Sequence, residues 1–167
     1  MQLREKERRP RMPAPPLSPP APGRTKPGFS LRPTGKEGME PRKKRILVIE
    51  DDREMRSLLE DFLREEGYEV GSVDDGSEGF RKLAKERFDL VITDIRMPGL
   101  SGLEILPGLR QIQPGVAIIV ITAFGSREIQ QQARDRGGDA YLEKPLHLEE
   151  LKNLVTRLLS SPPGPPG

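Results

Sequence analysis

The chain is 167 residues long, enough for one domain with extensions, and its 28 Lys/Arg against 26 Asp/Glu leave a net charge of +2. It holds no cysteine and a single histidine, His147, which excludes disulfides, thiolate metal sites and a histidine-rich metal centre. No stretch approaches the roughly 18 apolar residues of a membrane span, and the opening run from Gln2 to Arg11 is too charged for a secretory leader, so a cytoplasmic location is expected.

The near-neutral total hides an asymmetry. Residues 1–44 carry 12 Lys/Arg and four Asp/Glu, whereas the rest of the chain carries 16 basic and 22 acidic residues. Ten prolines and few aliphatic residues in 1–42 give too little apolar surface to offset the entropy of ordering, so residues 1–43 read as a disordered, basic, proline-rich extension. Such an arm can approach nucleic acid or an acidic surface, although no aromatic interleaving or arginine periodicity supports that use. Met39 stands just ahead of the first regular apolar pattern and is a candidate for the true start. N-terminal peptide mapping would decide, and a peptide spanning Arg32 to Arg42 would exclude it.

From Arg45 the pattern becomes regular. Ile46–Ile49 is strand-like and ends on Glu50-Asp51-Asp52. Met55, Leu58, Leu59, Phe62 and Leu63 follow at helical spacing, with Gly67 as the stop. Tyr68–Val73 reads as a more polar strand near an edge, and Ser77–Arg87 as a helix weakened by Gly79. Phe88–Thr93 is the central buried strand, ending on Asp94 and followed by the turn residues Pro98-Gly99. A helix over Gly102–Ile112 contains Pro107, which predicts a kink or a late start. Val116–Ile121 is a fourth, fully buried strand ending at Thr122-Ala123, and Ser126–Arg136 a helix closed by Gly137-Gly138. Ala140–Leu142 is a short fifth strand followed by Glu143-Lys144-Pro145. The last helix runs from Leu148 to Leu159, and residues 161–167 form a disordered Pro/Gly tail.

Five strands alternating with five helices predict an α/β fold whose parallel sheet is covered by helices on both faces, strand order 2-1-3-4-5, a flavodoxin-like (βα)5 arrangement. In that order the carboxyl ends of strands 1, 3, 4 and 5 share one edge. Glu50, Asp51 and Asp94 would converge there with the Thr122 hydroxyl and the Lys144 ammonium. Crowded carboxylates repel and call for a divalent cation, and oxygen-only ligands suit Mg²⁺ or Mn²⁺. Lys144 and Thr122 are what an incoming phosphoryl group needs, with Asp94 as the nucleophile that becomes an aspartyl phosphate. Each of these residues alone is more often structural; the signal is their joint placement at the strand ends. Asp52 falls in register to cap the first helix instead of joining the site.

The run Asp94-x-x-Met97-Pro98-x-x-x-Gly102, with Glu50-Asp51 upstream and Thr122-Ala123 and Lys144-Pro145 downstream, resembles the receiver domain of two-component response regulators over residues 44–160. The resemblance implies a phosphoprotein of the phosphorelay: Asp94 accepts a phosphoryl group from a sensor histidine kinase or phosphotransfer protein. Mg²⁺ would be held by Glu50, Asp51, Asp94 and the backbone carbonyl of Arg96. Thr122 and Tyr141 would act as the switch, Lys144 would pair with the phosphoryl group, and the Lys144–Pro145 bond would be cis. It also implies that the protein is not an enzyme beyond catalysing its own phosphorylation and dephosphorylation. Glu50 stands where aspartate is more usual, and Arg96 and Phe124 occupy positions that tune phosphoryl lifetime. No helix-turn-helix or ATPase module follows Leu159, so a stand-alone receiver of the chemotaxis-regulator kind, or the receiver end of a longer chain, is expected. Its output would be the binding of a downstream protein through the face of the fourth helix, fifth strand and fifth helix. A haloacid-dehalogenase-like phosphatase also uses a strand-end aspartate, but it needs an acid where this chain has Arg96. A nucleic-acid-associated protein acting through the basic arm is the other alternative, and the complete acid set argues against it.

Overall fold

The computed structural model describes residues 41–160. The basic arm, apart from its last three residues, the question of Met39, and the 161–167 tail lie outside the described residues. Pro41–Lys43 belonged to the expected extension, yet Arg42 already pairs with Asp89, its Nη2 2.8 Å from Oδ1.

The elements alternate as the apolar pattern requires. β1 is Arg45–Ile49, α1 Arg53–Glu65, β2 Glu69–Val73, α2 Gly76–Lys85 and β3 Leu90–Asp94. α3 is Gly102–Ile112, β4 Ala117–Thr122, α4 Arg127–Asp135, β5 Ala140–Glu143 and α5 Leu148–Ser160. The sheet is parallel throughout, in the order β2-β1-β3-β4-β5, so the edge position of β2 and the five-stranded topology are as expected. Among the described residues no helix is long and apolar enough to cross a membrane.

Successive strand side chains point to opposite faces, and two cores follow from that alternation. Leu47, Ile49, Val91, Ile118 and Val120 pack under Leu83, Leu106, Leu109 and Ala133 of α2, α3 and α4. Ile46, Val48, Leu90, Ile92, Ile119 and Ile121 pack under Leu59, Leu63, Leu151 and Val155 of α1 and α5. β1, β3 and β4 are buried on both faces, which is why they read as unbroken apolar runs. Gly67, at φ +98°, ends α1 in the left-handed conformation that favours glycine.

Several boundaries differ from the sequence reading. β3 begins at Leu90 instead of Phe88 and includes Asp94, because the Phe88 amide donates to the buried Gln113 side chain at 3.0 Å. Gln113 Nε2 also donates to the carbonyls of Leu83 (2.8 Å) and Glu86, so α2 stops at Lys85 instead of Arg87. β4 is shifted by one residue, to Ala117–Thr122, and β5 extends to Glu143.

Of the kink or late start expected from Pro107, the late start does not occur. α3 runs unbroken from Gly102, opened by a capping box in which Ser101 and Glu104 satisfy each other's amides. Proline leaves the carbonyl four residues earlier, that of Leu103, without its helical donor. Arg136, the cap residue of α4, supplies one: its Nη1 lies 3.3 Å from the Leu103 oxygen.

Candidate functional site

The carboxyl ends of β1, β3, β4 and β5 form one edge, and the expected residues meet there. Asp94 closes β3 and is only 5% exposed. Its Oδ2 accepts from Lys144 Nζ at 2.6 Å, and its Oδ1 accepts from the Arg96 amide at 2.9 Å. Glu50, 1% exposed, follows β1; its Oε2 lies 3.4 Å from the same ammonium and its Oε1 accepts from the Asp52 amide at 3.1 Å. Asp51 is exposed, but its carboxylate and those of Glu50 and Asp94 come within 4.8 Å of one another. The Lys144–Pro145 bond is cis.

Asp52 takes the expected part. Its Oδ1 accepts from the Met55 amide at 2.8 Å and caps α1, so it is not a member of the acid cluster. Arg56, one turn into α1 and not singled out in the sequence, donates to the Glu50 carbonyl at 2.8 Å and fixes the loop carrying Glu50 and Asp51.

Glu50 and Asp94 share the one Lys144 ammonium, with Asp51 close by, and the electrostatics register the deficit. Burial pushes the Glu50 carboxyl up to about 7, and the nearby Asp94 carboxylate pushes the same way, against the Asp52 amide and Lys144. Burial works against the Lys144 ammonium, yet the bond to Asp94 and the charge of Glu50 outweigh it and hold its pKa above the ordinary lysine value. A cluster of oxygen donors with surplus negative charge fits a hard divalent cation, and its donor set suits Mg²⁺ or Mn²⁺.

Thr122 ends β4, 1% exposed. Its hydroxyl is turned to the following loop: Oγ1 accepts from the Phe124 amide at 3.2 Å and lies 3.4 Å from the Phe124 carbonyl, to which it donates. Tyr141 packs half-buried against the core beside Ile129. Its hydroxyl is the one buried side-chain polar atom among the described residues without a hydrogen-bond partner. Burial, and then the Glu143 carboxylate, raise its pKa above the ordinary tyrosine value, against the Thr122 hydroxyl, which lies near enough to pull it down.

Two features were not legible in advance. Arg96 stacks its guanidinium over the exposed Phe124 ring at 4.4 Å, joining the loops after β3 and β4 across the mouth of the site. Gly102, read only as part of a motif, lies directly under the Asp94 backbone. A Cβ there would fall 2.8 Å from Ile95 Cα and closer still to the Asp94 carbonyl oxygen, so α3 can dock on the β3 loop only with glycine at this point.

Fold and site together define a module of the flavodoxin-like class with an acidic cluster at the carboxyl edge of its sheet. Residues 46–156 match the response regulator receiver domain, and the chain belongs to that family. It is similar to Sporulation initiation phosphotransferase F of Bacillus subtilis, with 30% identity over 69% of this chain and 93% of the relative. It is also similar to Response regulator receiver protein CpdR of Brucella abortus, with 35% identity over 70% of this chain and 97% of the relative. The DNA-binding transcriptional regulator NtrC of Azospirillum brasilense is 39% identical, but the match spans only 24% of that protein's length. Among solved structures, a CheY-like receiver domain from Methanospirillum hungatei superposes with a TM-score of 0.69 at 32% identity, covering 71% of this chain and 95% of that one. Response regulator protein TrrA from Thermotoga maritima, solved in complex with Mg(2+)-BeF, gives 0.63 at 39% identity, covering 69% and 98%.

Proposed function

We propose that the protein is a phosphoacceptor receiver in which Asp94 takes a phosphoryl group from a sensor histidine kinase or phosphotransfer protein and thereby switches the binding of a downstream partner. The observation that carries this reading is the strand-end carboxylate of Asp94, buried, hydrogen-bonded to Lys144 and the Arg96 amide, and grouped with two further acids.

In this reading a carboxylate oxygen of Asp94 attacks phosphorus in line while the bond from phosphorus to the donor's imidazole nitrogen breaks and the leaving imidazole takes up a proton. Glu50, Asp51, Asp94 and the backbone carbonyl of Arg96 would hold Mg²⁺, which when bound supplies positive charge against the phosphoryl oxygens. Lys144 exchanges part of its contact with Asp94 for a phosphoryl oxygen. Thr122 leaves the Phe124 backbone to donate its hydroxyl to another, and Tyr141 follows that movement. The chain catalyses only its own phosphorylation and dephosphorylation, and the α4–β5–α5 face binds the downstream partner. A cytoplasmic location accords with that partnership.

The deciding experiment is intact mass after incubation with acetyl phosphate, with and without Mg²⁺, for the wild type and Asp94→Asn. The expected result is a gain of one phosphoryl group that needs Mg²⁺ and disappears in Asp94→Asn. A gain that persists in Asp94→Asn would refute the assignment of the acceptor.

A further inference from the structure

Tyr141 lies inward against the core, yet its hydroxyl has no hydrogen-bond partner. The Thr122 hydroxyl lies near enough to favour the ionised phenol, but its own bonds go to the Phe124 backbone, so space around the ring, more than a bond, admits the phenol there. The space has an identifiable source. A Cβ placed on Gly125 would overlap the Tyr141 hydroxyl and the Glu143 Oε1, and would reach within 3.0 Å of the Glu143 carboxyl carbon.

Gly125 is not among the glycines with positive φ, which among the described residues are Gly67, Gly99 and Gly137. Its backbone conformation is one that any residue can adopt, so the glycine is needed here for room and not for chain geometry. The atoms that would be struck are the far ends of two side chains that can swing outward, so a methyl group would displace them without breaking the backbone. Gly125 also sits between Thr122, whose hydroxyl is tied to Phe124, and Ser126, whose hydroxyl caps α4 through the Ile129 amide at 3.2 Å.

We propose that Gly125 is the positioning residue of the switch: its lack of a side chain admits Tyr141 to the inward position, and a larger residue there holds the ring outward. The proposal rests on the receiver reading for its functional meaning, since Tyr141 matters as a switch only if Asp94 is phosphorylated. Its test does not rest on that reading, because it is made on the unphosphorylated chain.

The chain holds two tyrosines and no tryptophan, so Tyr68→Phe leaves Tyr141 as the sole phenol. In the full-length Tyr68→Phe protein, Gly125→Ala is expected to increase acrylamide quenching of Tyr141 fluorescence and to bring its titration midpoint down toward about 10, the value of an exposed tyrosine. As a second readout, Gly125→Ala should lower the unfolding midpoint less when Tyr141 is Phe, because one of the two colliding oxygens is then gone. Unchanged quenching and titration, or an equal loss of stability in both backgrounds, would overturn the proposal. If Gly125→Ala alone does not fold, folding of Gly125→Ala/Tyr141→Phe supports the proposal and its failure to fold overturns it. A chain that passes this test but gains no mass with acetyl phosphate would retain the steric device and lose the receiver reading.

Discussion

Replacing Glu50 by Gln should stabilise the metal-free protein at alkaline pH, because it removes a charge the fold holds at a cost. The amide keeps an oxygen to accept from the Asp52 N–H, as Oε1 does now at 3.1 Å. In the native chain burial, with Asp94 alongside, pushes the Glu50 carboxyl up to about 7 from an ordinary value of 4.5. A gap of that size corresponds to about 3 kcal/mol at about 1.36 kcal/mol per unit. The site opens to water at the sheet edge, and screening reduces the figure to about 1–2 kcal/mol. The native state binds the Glu50 proton more tightly than the unfolded chain does. Its stabilising contribution is therefore complete below the unfolded value of 4.5 and is lost as pH rises through about 7.

Urea or thermal unfolding in EDTA reads this directly. At pH 8 Glu50→Gln should unfold roughly 4–8 °C above the wild type, taking about 4 °C per kcal/mol for a domain of this size. Near pH 4.5, where Glu50 is protonated in the native state, the difference should shrink to a few tenths of a kcal/mol. Millimolar Mg²⁺ at pH 8 should raise the wild-type midpoint more than that of Glu50→Gln, since a ligand stabilises the state that binds it in proportion to its affinity. Equal stability of the two proteins at pH 8 in EDTA, or a difference that stays constant with pH, would refute the account of the acid cluster.

Gly102→Ala should cost about 2–4 kcal/mol, the range for a forced overlap in a packed interior, because its Cβ meets the Asp94 and Ile95 backbone. The same substitution should slow acetyl phosphate labelling by moving the loop that presents Asp94, which intact mass against time would show. Arg136→Met should cost about 1 kcal/mol by leaving the Leu103 carbonyl without its donor. In a Pro107→Ala background, where residue 107 recovers an amide for that carbonyl, the cost should largely vanish; a double-mutant cycle by urea unfolding measures the difference.

The parts of the fold that the sequence announces are those fixed by burial and by local chemistry. Strands buried on both faces read as continuous apolar runs, so Ile46–Ile49 and Ile118–Ile121 were visible, and with them the acids and hydroxyl at their ends. The caps were equally local, as Asp52 shows. What sequence did not reveal depends on partners far along the chain. Pro107 predicts damage by a local rule, but its remedy comes from Arg136, 33 residues beyond the carbonyl it satisfies. The start of β3 and the end of α2 are both set by Gln113, a polar residue closing α3 whose burial nothing nearby foretells. The Thr122 hydroxyl is placed correctly by its strand, but its orientation toward the Phe124 backbone belongs to the loop.

The distribution of satisfied and unsatisfied groups bears on function more directly than any single residue. Asp52, Asp75, Ser101 and Ser126 each cap a helix by accepting from the amide three residues on, so four of the five helices among the described residues are locally consistent at their N-termini. Against that background two groups depart, a buried Glu50 after β1 whose charge is under-neutralised and, within β5, a buried Tyr141 hydroxyl bonded to no group by geometry. A sequence selected only for stability would remove both with Gln and Phe. In the proposed receiver cycle both would change, since a cation would relieve Glu50 and displacement of Thr122 and its loop would alter the surroundings of Tyr141. Groups left poorly satisfied are what a two-state element requires, because only these can be improved in the other state.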